Sequence, residues 1–385
     1  MRVLSAIPDP RYGGPTTRSL DVALPLRKRG IETVFLLPKG DDEFADAAKA
    51  EGFDVVRMRQ SRIRAPRRVA DNARFLLEFK DCTSEAAGII KQQRIDVVHV
   101  NGPLNYQVAL AANKSNAATV WHFNDTLTPA PLRQLSSQLA RRWADVIAVA
   151  ADAVHDYYFS KDIASETVYA PVDVKTFDPS QISEREQQHR TELGIGDDSL
   201  IIGTVGNLNP TKGHKYLIEA IAEVRDQIEK NNIHLVVVGK KLASRQEYYE
   251  KLCQQVRRRD LENVVTFTGW RSDIPEILNT FDIFVLSSIT EACPIVVLEA
   301  MAMGCPVIAT DVGGVCEQIP GKDFGWVVPR KNANALAGAL ITAINSPDER
   351  RERGKRARKR AKDKFSLERC VERHTAIYND AIRTE

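Results

Sequence analysis

The chain has 385 residues, 43% of them hydrophobic, and a formal net charge of +3. This length favours two domains over one, and so small a net charge excludes a strongly basic nucleic-acid-binding protein. No apolar run reaches membrane-spanning length, no signal peptide is apparent, and the six cysteines lack Cys-x-x-Cys spacing, so we expect a cytoplasmic protein with reduced thiols.

Short apolar runs alternate with helical patterns along both halves of the chain. In the first half the predicted strands are 3–7, 33–37, 54–58, 96–100, 119–123 and 145–149. In the second half they are 200–205, 235–238, 264–268, 283–286, 307–309 and 326–328. Alternation of this kind predicts the α/β class, with two doubly wound, Rossmann-like domains built on parallel sheets.

A glycine pair follows the first predicted strand. Gly13 and Gly14 precede Pro15 and a helix predicted from about Thr16. Glycine lets backbone N–H groups approach a ligand, and Pro15 suits a first helical position. A helix N-terminus so arranged favours an anion such as a diphosphate, although a plain turn explains the pair about as well.

A lysine stands in the corresponding loop of the second half. The loop from Gly206 to Gly213 reads Gly-Asn-Leu-Asn-Pro-Thr-Lys-Gly and leads into a helix predicted from about His214. Lys212 is therefore placed to neutralise phosphate oxygens with the help of a helix N-terminus.

Two glutamates flank the start of a later helix. Glu291 follows a strand on a loop, and Glu299 lies within a helix predicted over 295–303; the next strand ends near the Gly313-Gly314 turn. This strand, helix, strand unit brings both carboxylates to the edge where open α/β sheets bind ligands. There they can accept hydrogen bonds from the vicinal hydroxyls of a sugar or a ribose.

This last stretch also carries a resemblance. Glu-x7-Glu, followed by Ala-Met-Ala-x-Gly-x-Pro-Val-Ile-Ala-Thr-Asp-x-Gly-Gly, closely resembles the signature of the retaining nucleotide-sugar glycosyltransferases of family 4, which have the GT-B fold. The resemblance extends over nearly the whole chain and is strongest over 203–328. It implies an acceptor-side domain 1–173, a nucleotide-sugar-binding domain 174–364, a central cleft between them, and a terminal helix, 365–385, that crosses back to the first domain.

The resemblance implies roles for single residues. Glu291 would hold hydroxyls of the donor sugar, Glu299 the ribose, and Lys212 the leaving diphosphate. His122, in the turn after the fifth strand, would face the reacting sugar, so Glu291, Lys212 and His122 form the expected catalytic group. The other expected donor contacts are Gly13, Gly14, Asn207, Arg271, Ala292, Cys293 and Ile295.

Two positions depart from the family pattern. Asn207 stands where an arginine is usual, which removes a cation from the diphosphate site unless Arg11 or Arg271 substitutes for it. Pro294 stands where a glycine commonly follows the first glutamate, and proline has no N–H to donate. Donor affinity is therefore either lowered or supported by other groups.

The implied chemistry needs no cofactor and no metal. No Asp-x-Asp occurs in the sequence, and no His, Cys and carboxylate cluster has metal-ligand spacing. The resemblance implies transfer with retention, in which an oxygen of the leaving phosphate helps to deprotonate the acceptor hydroxyl. The acceptor, a saccharide or a lipid-linked molecule, cannot be identified from the sequence.

A basic segment in the first half leaves two interpretations open. Arg62, Arg64, Arg67 and Arg68 precede an apolar helical stretch that includes Leu76 and Leu77. Such a run is either a solvated helix face or a surface that rests on an anionic membrane, which would make the protein peripheral at the inner face. It lacks the interleaved aromatic residues of a nucleic-acid surface, so no nucleic-acid partner is expected.

Two other functions are weaker alternatives. An NAD-dependent oxidoreductase shares paired α/β domains, but Gly-x-Gly-x-x-Gly is absent after the first strand, and Pro38 and Lys39 stand where an acidic residue would end the second. A non-catalytic nucleotide or carbohydrate binder derived from the family is the third interpretation.

Overall fold

The computed structural model describes residues 1–11, 13–182, 186–196, 198–227 and 233–383. The chain forms two compact units, Met1–Ala170 with Leu367–Glu385, and Pro171–Ser366. Each unit contains one parallel β-sheet whose strands are connected by helices, as the alternating pattern predicts.

Seven strands form the sheet of the first unit. They are β1 (Arg2–Ala6), β2 (Glu32–Pro38), β3 (Asp54–Met58), β4 (Val97–Asn101), β5 (Ala118–Phe123), β6 (Val146–Val149) and β7 (Glu166–Thr167). Their order in the sheet is β3-β2-β1-β4-β5-β6-β7. The central strands are continuous apolar runs because parallel strands are buried on both faces. The prediction missed β7, since two residues are too short to show a pattern.

Six helices connect these strands. They are α1 (Gly14–Lys28), α2 (Glu43–Ala50), α3 (Val69–Gln92), α4 (Tyr106–Asn113), α5 (Ala130–Trp143) and α6 (Asp152–Tyr158). The first begins at Gly14, two residues before the predicted start, because the carbonyl of Gly13 already accepts from Thr17 N at 2.9 Å. Gly14 is therefore the first helical residue and not a loop residue.

Six strands form the sheet of the second unit. They are β8 (Leu200–Val205), β9 (Ile233–Val238), β10 (Val265–Gly269), β11 (Ile283–Leu286), β12 (Val307–Thr310) and β13 (Trp326–Val328). Their order is β10-β9-β8-β11-β12-β13. Strands β9 and β10 are therefore added on one side of β8, and β11 to β13 on the other side. Ligands bind beside such a change of side in open α/β sheets.

In the part of this unit that the structure describes, eight α-helices accompany the sheet. They are α7 (Glu186–Glu192), α8 (His214–Gln227), α9 (Gln246–Arg258), α10 (Ile274–Asn279), α11 (Ile295–Ala302), α12 (Val315–Gln318), α13 (Ala333–Asn345) and α14 (Pro347–Lys364). The sequence pattern predicts that the first of them begins at about Glu184, which lies outside the described residues. The helix that carries Glu299 ends near Gly304, whose φ of +73° suits the left-handed residue that follows a helix.

The terminal helix, α15 (Leu367–Arg383), belongs to the first unit. Its buried residues recur at helical spacing, and Val371, Ile377 and Tyr378 pack with Val97 of β4 and Val120 of β5 in one core cluster. This packing brings polar residues of the terminal helix to the centre of the first sheet. Within the described ranges, no helix has the length and apolar character needed to span a bilayer.

Candidate active site

An ion pair joins two loops of the second unit. Lys212 Nζ lies 2.7 Å from Glu291 Oε1, and Ser288 Oγ donates to the same oxygen at 2.7 Å. The side chains are 25% and 15% exposed, so the pair is shielded but within reach of a ligand. The structure thus brings together the lysine and the first glutamate that the sequence analysis singled out.

Local turn chemistry fixes the position of Lys212. It ends a short 3-10 turn, Pro210–Lys212, in which Asn209 Oδ1 accepts from Thr211 N at 2.7 Å. Gly213 follows with φ at +67°, and a Cβ there would lie 2.0 Å from the carbonyl oxygen of Ser287. Because both the conformation and the space require glycine, the loop after β8 can pack directly on the loop after β11.

Further hydrogen bonds hold these two loops against each other. Ser287 Oγ donates to the Lys212 carbonyl at 2.9 Å, and Ile289 N donates to the Thr211 carbonyl at 2.7 Å. The strands that carry the loops, β8 and β11, are neighbours in the sheet. The ion pair is therefore built on a scaffold of fixed backbone contacts.

The Gly313-Gly314 turn supports the other side of Glu291. A Cβ on Gly313, whose φ is +50°, would lie 2.3 Å from the Glu291 carbonyl oxygen. The next residue, Gly314, donates its N–H to the Ala292 carbonyl at 2.7 Å. The glycine pair that followed the glutamates in sequence is thus the platform for the Glu291 loop.

Helix α11 begins immediately after this loop and carries Glu299, a partly buried residue. Gln318 Nε2 donates to Cys293 Sγ at 3.3 Å and to the Pro294 carbonyl at 3.2 Å, which ties the loop to α12. Ile295 is the first helical residue, and the first-turn N–H groups of a helix have no acceptor inside it. The helix start therefore offers donors that Pro294 itself cannot provide.

Asn207, where the family pattern has an arginine, has a structural contact. Its Oδ1 accepts from the backbone N–H of Lys240 at 3.3 Å, which joins the loops after β8 and β9. The lysine is exposed. The backbone of Lys240, a residue not among the expected donor contacts, thus adjoins Asn207.

The two arginines expected to replace the missing cation are each bound to carboxylates. Arg271 Nε donates to Asp273 at 2.8 Å, and this hydrogen bond raises the pKa of the guanidinium. In the first unit, Arg11 Nε donates to Asp9 at 2.9 Å. Each guanidinium would have to share its charge with that carboxylate to serve a diphosphate.

A further cation lies beside the glutamate loop. Arg330 follows β13 and donates to the carbonyl of Ile289 at 3.2 Å, two residues before Glu291. Its only sequence signal was its place after the last predicted strand, at the same edge of the sheet. Trp270, in the loop after β10, is 69% exposed and is not a core residue.

The predicted glycine pair lies in the first unit, at the start of α1. Gly13 N donates to Thr16 Oγ1 at 2.8 Å, and a Cβ on Gly13 would meet no atom within 4 Å. Its φ of 172° is an extended conformation open to any residue. Open space, and not backbone strain, is therefore what glycine provides at this position.

His122 is also in the first unit, but it lies within β5 and not in the turn after it. The side chain is 1% exposed, and its Nδ1 lies 3.1 Å from His99 Nε2. Burial, together with the nearby charge of Arg18, lowers its pKa well below the usual range, so the imidazole is neutral. Among the described residues, His122 Nε2 is a buried atom without a hydrogen-bond partner.

Three histidines that are distant in sequence meet here. One nitrogen from each of His99, His122 and His374 lies within 4.8 Å of the others, an arrangement that sequence spacing could not reveal. Neutral imidazoles can bind a metal. However, His99 already contacts Tyr378 and His122. Burial, and to a lesser extent the positive charge of Arg18, lowers the pKa of all three histidines. These features favour a hydrogen-bonded network over a cation site.

Two protein-family models match the chain. The model described as "Glycosyl transferase 4-like domain" matches residues 13–156, and that described as "Glycosyl transferases group 1" matches residues 185–360. The second range contains the Lys212–Glu291 pair, and the first contains the glycine pair and His122. The matches do not favour an oxidoreductase.

Similar proteins are named as glycosyltransferases or synthases. N-acetyl-alpha-D-glucosaminyl L-malate synthase of Bacillus anthracis is 24% identical over 315 residues, which cover 78% of this chain and 79% of that protein. D-inositol 3-phosphate glycosyltransferase of Corynebacterium glutamicum is 29% identical over 272 residues, covering 68% of this chain and 64% of that protein.

The fold is shared with solved structures. Anabaena HepE in complex with UDP superposes with a TM-score of 0.83 at 22% identity, over 98% of this chain and 100% of that one. The same protein is known in complex with UDP-glucose. At this level of identity the likeness establishes the architecture of the two sheets and their helices.

Proposed function

The chain belongs to the group 1 glycosyltransferases, has the GT-B fold and transfers a sugar from a nucleotide-sugar donor, and we propose that it does so with retention and without a metal ion. The acceptor in this proposal is a hydroxyl of a saccharide or lipid-linked molecule, used in the synthesis of cell-envelope polysaccharide, glycolipid or another glycoconjugate.

The ion pair between Lys212 and Glu291 is the observation that carries the proposal. Before the donor binds, the two groups neutralise each other at 2.7 Å. A nucleoside diphosphate would draw the Lys212 ammonium to its oxygens, which frees Glu291 to accept hydrogen bonds from sugar hydroxyls. Glu299, on the helix behind the loop, would bind the ribose.

Several further groups complete the donor site in this proposal. The N–H groups of Ile295 and Val296, in the first turn of α11, support negative charge. Lys240 and Arg330 supply the cations that Asn207 does not. For the first unit by itself, we propose that the open space at Gly13 admits a ligand to the start of α1 and that His122 binds a sugar hydroxyl.

The chemical step then needs no protein nucleophile. The bond from the anomeric carbon to the diphosphate oxygen breaks, and the acceptor hydroxyl attacks from the face that the leaving group vacates. A phosphate oxygen of the leaving group takes the hydroxyl proton. Lys212 stabilises the charge that develops on the diphosphate, and Glu291 holds the sugar in register, so the contribution of the protein is orientation and electrostatic stabilisation.

Contact with a membrane surface forms a separate part of the proposal. On α3, Leu76 and Leu77 are 73% and 82% exposed, and the arginines that precede the helix are basic. Exposed leucines beside basic residues suit an anionic bilayer. Co-sedimentation should require anionic vesicles and weaken with salt; equal sedimentation with neutral vesicles would contradict this part.

A panel of sugar nucleotides tests the enzymatic proposal. UDP-sugars are tried first, since HepE binds UDP and UDP-glucose. Initial rates in excess EDTA should equal those in magnesium, and the first product should keep the anomeric configuration of the donor in proton NMR. Rates restored only by manganese would refute metal independence, and an inverted product would refute retention. Binding without turnover of any donor and acceptor would favour the non-catalytic alternative.

A further inference from the structure

A pocket of about 530 Å³ lies in the first unit, around the segment between β3 and α3. This volume is in the range of small-molecule binding sites. Among its lining residues are five cationic side chains and only two acidic ones. The cationic residues are Lys39, Arg59, Arg62, Arg64 and Arg74.

Some of this positive charge is balanced inside the protein. Arg62 lies 3.3 Å from Asp9, and Arg59 lies 4.0 Å from Glu78. Burial raises the pKa of Asp9, but its hydrogen bonds and the charges of Arg11 and Arg62 outweigh burial and lower that pKa to about 2. Asp9 is therefore ionised and pairs with Arg62, which lines the pocket.

The remaining cations are not balanced. The described residues provide no ion-pair partner for Lys39, Arg64 or Arg74, and the lining carboxylate Asp71 is bound to Arg68. Burial and the like charges of Arg62 and Arg68 lower the pKa of Arg64, and the carboxylates of Asp71 and Asp9 oppose this shift only in part. Three cations without an ion-pair partner in one concavity suit a doubly charged anion.

The place of the pocket in the fold agrees with this chemistry. Lys39 immediately follows β2, and Arg59 immediately follows β3, so both lie at the carboxyl edge of the first sheet. The Asp9–Arg62 contact joins the pocket to the loop after β1. Ligands of open α/β sheets bind at this edge.

We propose that this pocket binds a phosphate or diphosphate group of the acceptor, either a water-soluble phosphate ester or the headgroup of a phosphorylated lipid. The identification of this anion as part of an acceptor rests on the proposed glycosyl transfer, whereas anion binding is inferred from the pocket alone. The exposed Leu76 and Leu77 on the adjacent helix α3 distinguish the two sources, because only a lipid would use them.

Calorimetry at low salt with glycerol 3-phosphate, and with glycerol as the neutral counterpart, tests the pocket. Arg64→Gln and Arg74→Gln should each weaken glycerol 3-phosphate binding by about tenfold, the effect of one charged hydrogen bond at a partly exposed site. Arg67→Gln is the matched control, because Arg67 is exposed in the same segment but is not among the lining residues. Thermal melting checks that each variant is folded.

The outcomes separate this proposal from the proposed function. Equal affinity of wild type, Arg64→Gln and Arg74→Gln for glycerol 3-phosphate would overturn the proposed anion site, even if the protein still bound UDP. Conversely, loss of binding in both variants without any UDP binding would support the pocket and count against the donor site. If the protein binds vesicles that contain phosphatidic acid and Leu77→Ser weakens this binding, the phosphate is that of a lipid headgroup. If Leu77→Ser does not change the binding, the phosphate is that of a soluble ester.

A second observation concerns a hydrogen-bonded chain through the first sheet. Tyr378 of α15 has its hydroxyl 2.7 Å from His99 Nδ1, and His99 Nε2 lies 3.1 Å from His122 Nδ1. All three residues are buried, at 5% exposure or less. The chain runs from the terminal helix to the free nitrogen, Nε2, of His122.

The position of each hydrogen in this chain follows from the hydrogen-bond partners of Tyr378 and His99. His99 is the partner of the Tyr378 hydroxyl among the described residues, so this hydroxyl keeps an acceptor only if it donates to His99 Nδ1. His99 then carries its hydrogen on Nε2 and donates to His122 Nδ1. The reverse direction would leave the buried hydroxyl hydrogen of Tyr378 without an acceptor, which is costly.

We infer that Tyr378 and His99 are positioning residues that keep the hydrogen of His122 on Nε2, so that His122 meets its ligand as a hydrogen-bond donor and not as a base. A donor at this point can bind a sugar hydroxyl or an oxygen that gains negative charge. The inference rests on the proposed place of His122 beside the sugar, but the tautomer itself is a property of the free protein.

Nitrogen-15 NMR of histidine-labelled protein shows which ring nitrogen carries hydrogen. His122 should carry it on Nε2, whereas His374, whose Nδ1 donates to the Cys370 carbonyl at 2.8 Å, should carry it on Nδ1 and serves as the internal reference. Tyr378→Phe should give a mixture of His122 tautomers, and lower kcat by about tenfold with KM unchanged, as expected for a lost hydrogen bond.

Hydrogen on Nδ1 of His122 in the wild-type protein would overturn the inference, as would a tautomer unchanged in Tyr378→Phe. The wild-type spectrum decides even if the variant folds poorly. Since the spectrum needs no substrate, an absence of turnover would count against the proposed function and leave the tautomer result intact.

Discussion

The ion pair of the second unit and the histidine cluster of the first unit differ in charge, in exposure and in the contacts that hold them. Lys212 and Glu291 are charged, partly exposed and supported by backbone contacts between neighbouring loops. His99, His122 and His374 are buried and neutral, and the His99–Tyr378 contact joins residues 279 positions apart.

The comparison shows which groups can respond to a ligand. A shielded but accessible ion pair can exchange partners when a charged ligand arrives, because solvent still reaches it. A buried neutral network cannot ionise at low cost and so keeps one arrangement. We therefore expect substitutions at the ion pair to change binding and turnover, and substitutions at the cluster to change hydrogen placement and stability.

The largest effect is expected for Lys212→Gln. The substitution removes the cation proposed to stabilise the leaving diphosphate and breaks its ion pair with Glu291. By analogy with the loss of a donor that stabilises a developing anion, kcat should fall by about a hundredfold to a thousandfold. Lys241→Gln is the control, since Lys241 lies over the Tyr249 ring and outside the pair. Equal loss in both variants would mean that general charge, and not the pair, matters.

Substitutions of the two glutamates should have smaller effects, one on nucleoside diphosphate binding and the other on turnover. Glu299→Gln should weaken binding of the free nucleoside diphosphate by roughly tenfold to a hundredfold, the loss of a charged hydrogen bond to ribose. Glu291→Gln should leave that binding nearly intact, because it releases Lys212, and should lower turnover by about a hundredfold. Calorimetry with the diphosphate and kinetics with the donor measure the two effects. The assigned roles would be wrong if the effects were exchanged.

The histidine cluster should make the first unit sensitive to acid. Burial lowers the pKa of His374 to about 3, whereas an unfolded histidine has a pKa of about 6.5. Below about pH 6.5 the unfolded chain binds protons that the folded chain rejects, so the free energy of unfolding falls by up to ~1.4 kcal/mol per pH unit for each such histidine, until the folded pKa is reached.

His374→Asn tests this dependence, since asparagine keeps a donor for the Cys370 carbonyl but does not titrate. Hydrogen exchange of peptides from β4 and β5, corrected for intrinsic rates, gives the opening free energy at pH 6.5 and 5.5. The wild-type protein should lose about 1 kcal/mol more than the variant over this interval, because the unfolded histidine is half protonated at pH 6.5 and almost fully protonated at pH 5.5. An equal loss would show that His374 is accessible to protons in the folded state.

The smallest effect is expected for Arg330→Gln. Arg330 is exposed and contacts the glutamate loop through the Ile289 carbonyl, so its charge is screened by solvent. Loss of such a cation should weaken nucleoside diphosphate binding by about twofold to fivefold, with a larger effect at low salt. An effect as large as that of Lys212→Gln would place Arg330 inside the diphosphate site.

The same comparison explains how much the sequence could predict. Apolar runs predicted twelve strands because parallel strands are buried on both faces, and β7 was missed because it has two residues. Lys212 and Glu291 were identified because each follows a strand at one sheet edge and each matches a motif of the family that the sequence resembles. The meeting of His99 with His374 could not be found, since it depends on the packing of α15 against β4 and β5. Arg330 was missed because a single arginine after a strand has no distinctive spacing.

Hydrogen exchange in the presence of UDP, GDP or ADP tests the central claim most directly, namely that the loops of Lys212 and Glu291 in the second unit hold the nucleoside diphosphate. For the nucleotide that binds, exchange should slow in peptides covering 206–216 and 287–299, and Lys212→Gln should reduce this protection while Lys241→Gln does not. Protection confined to the first unit, or equal protection in Lys212→Gln and wild type, would contradict the account.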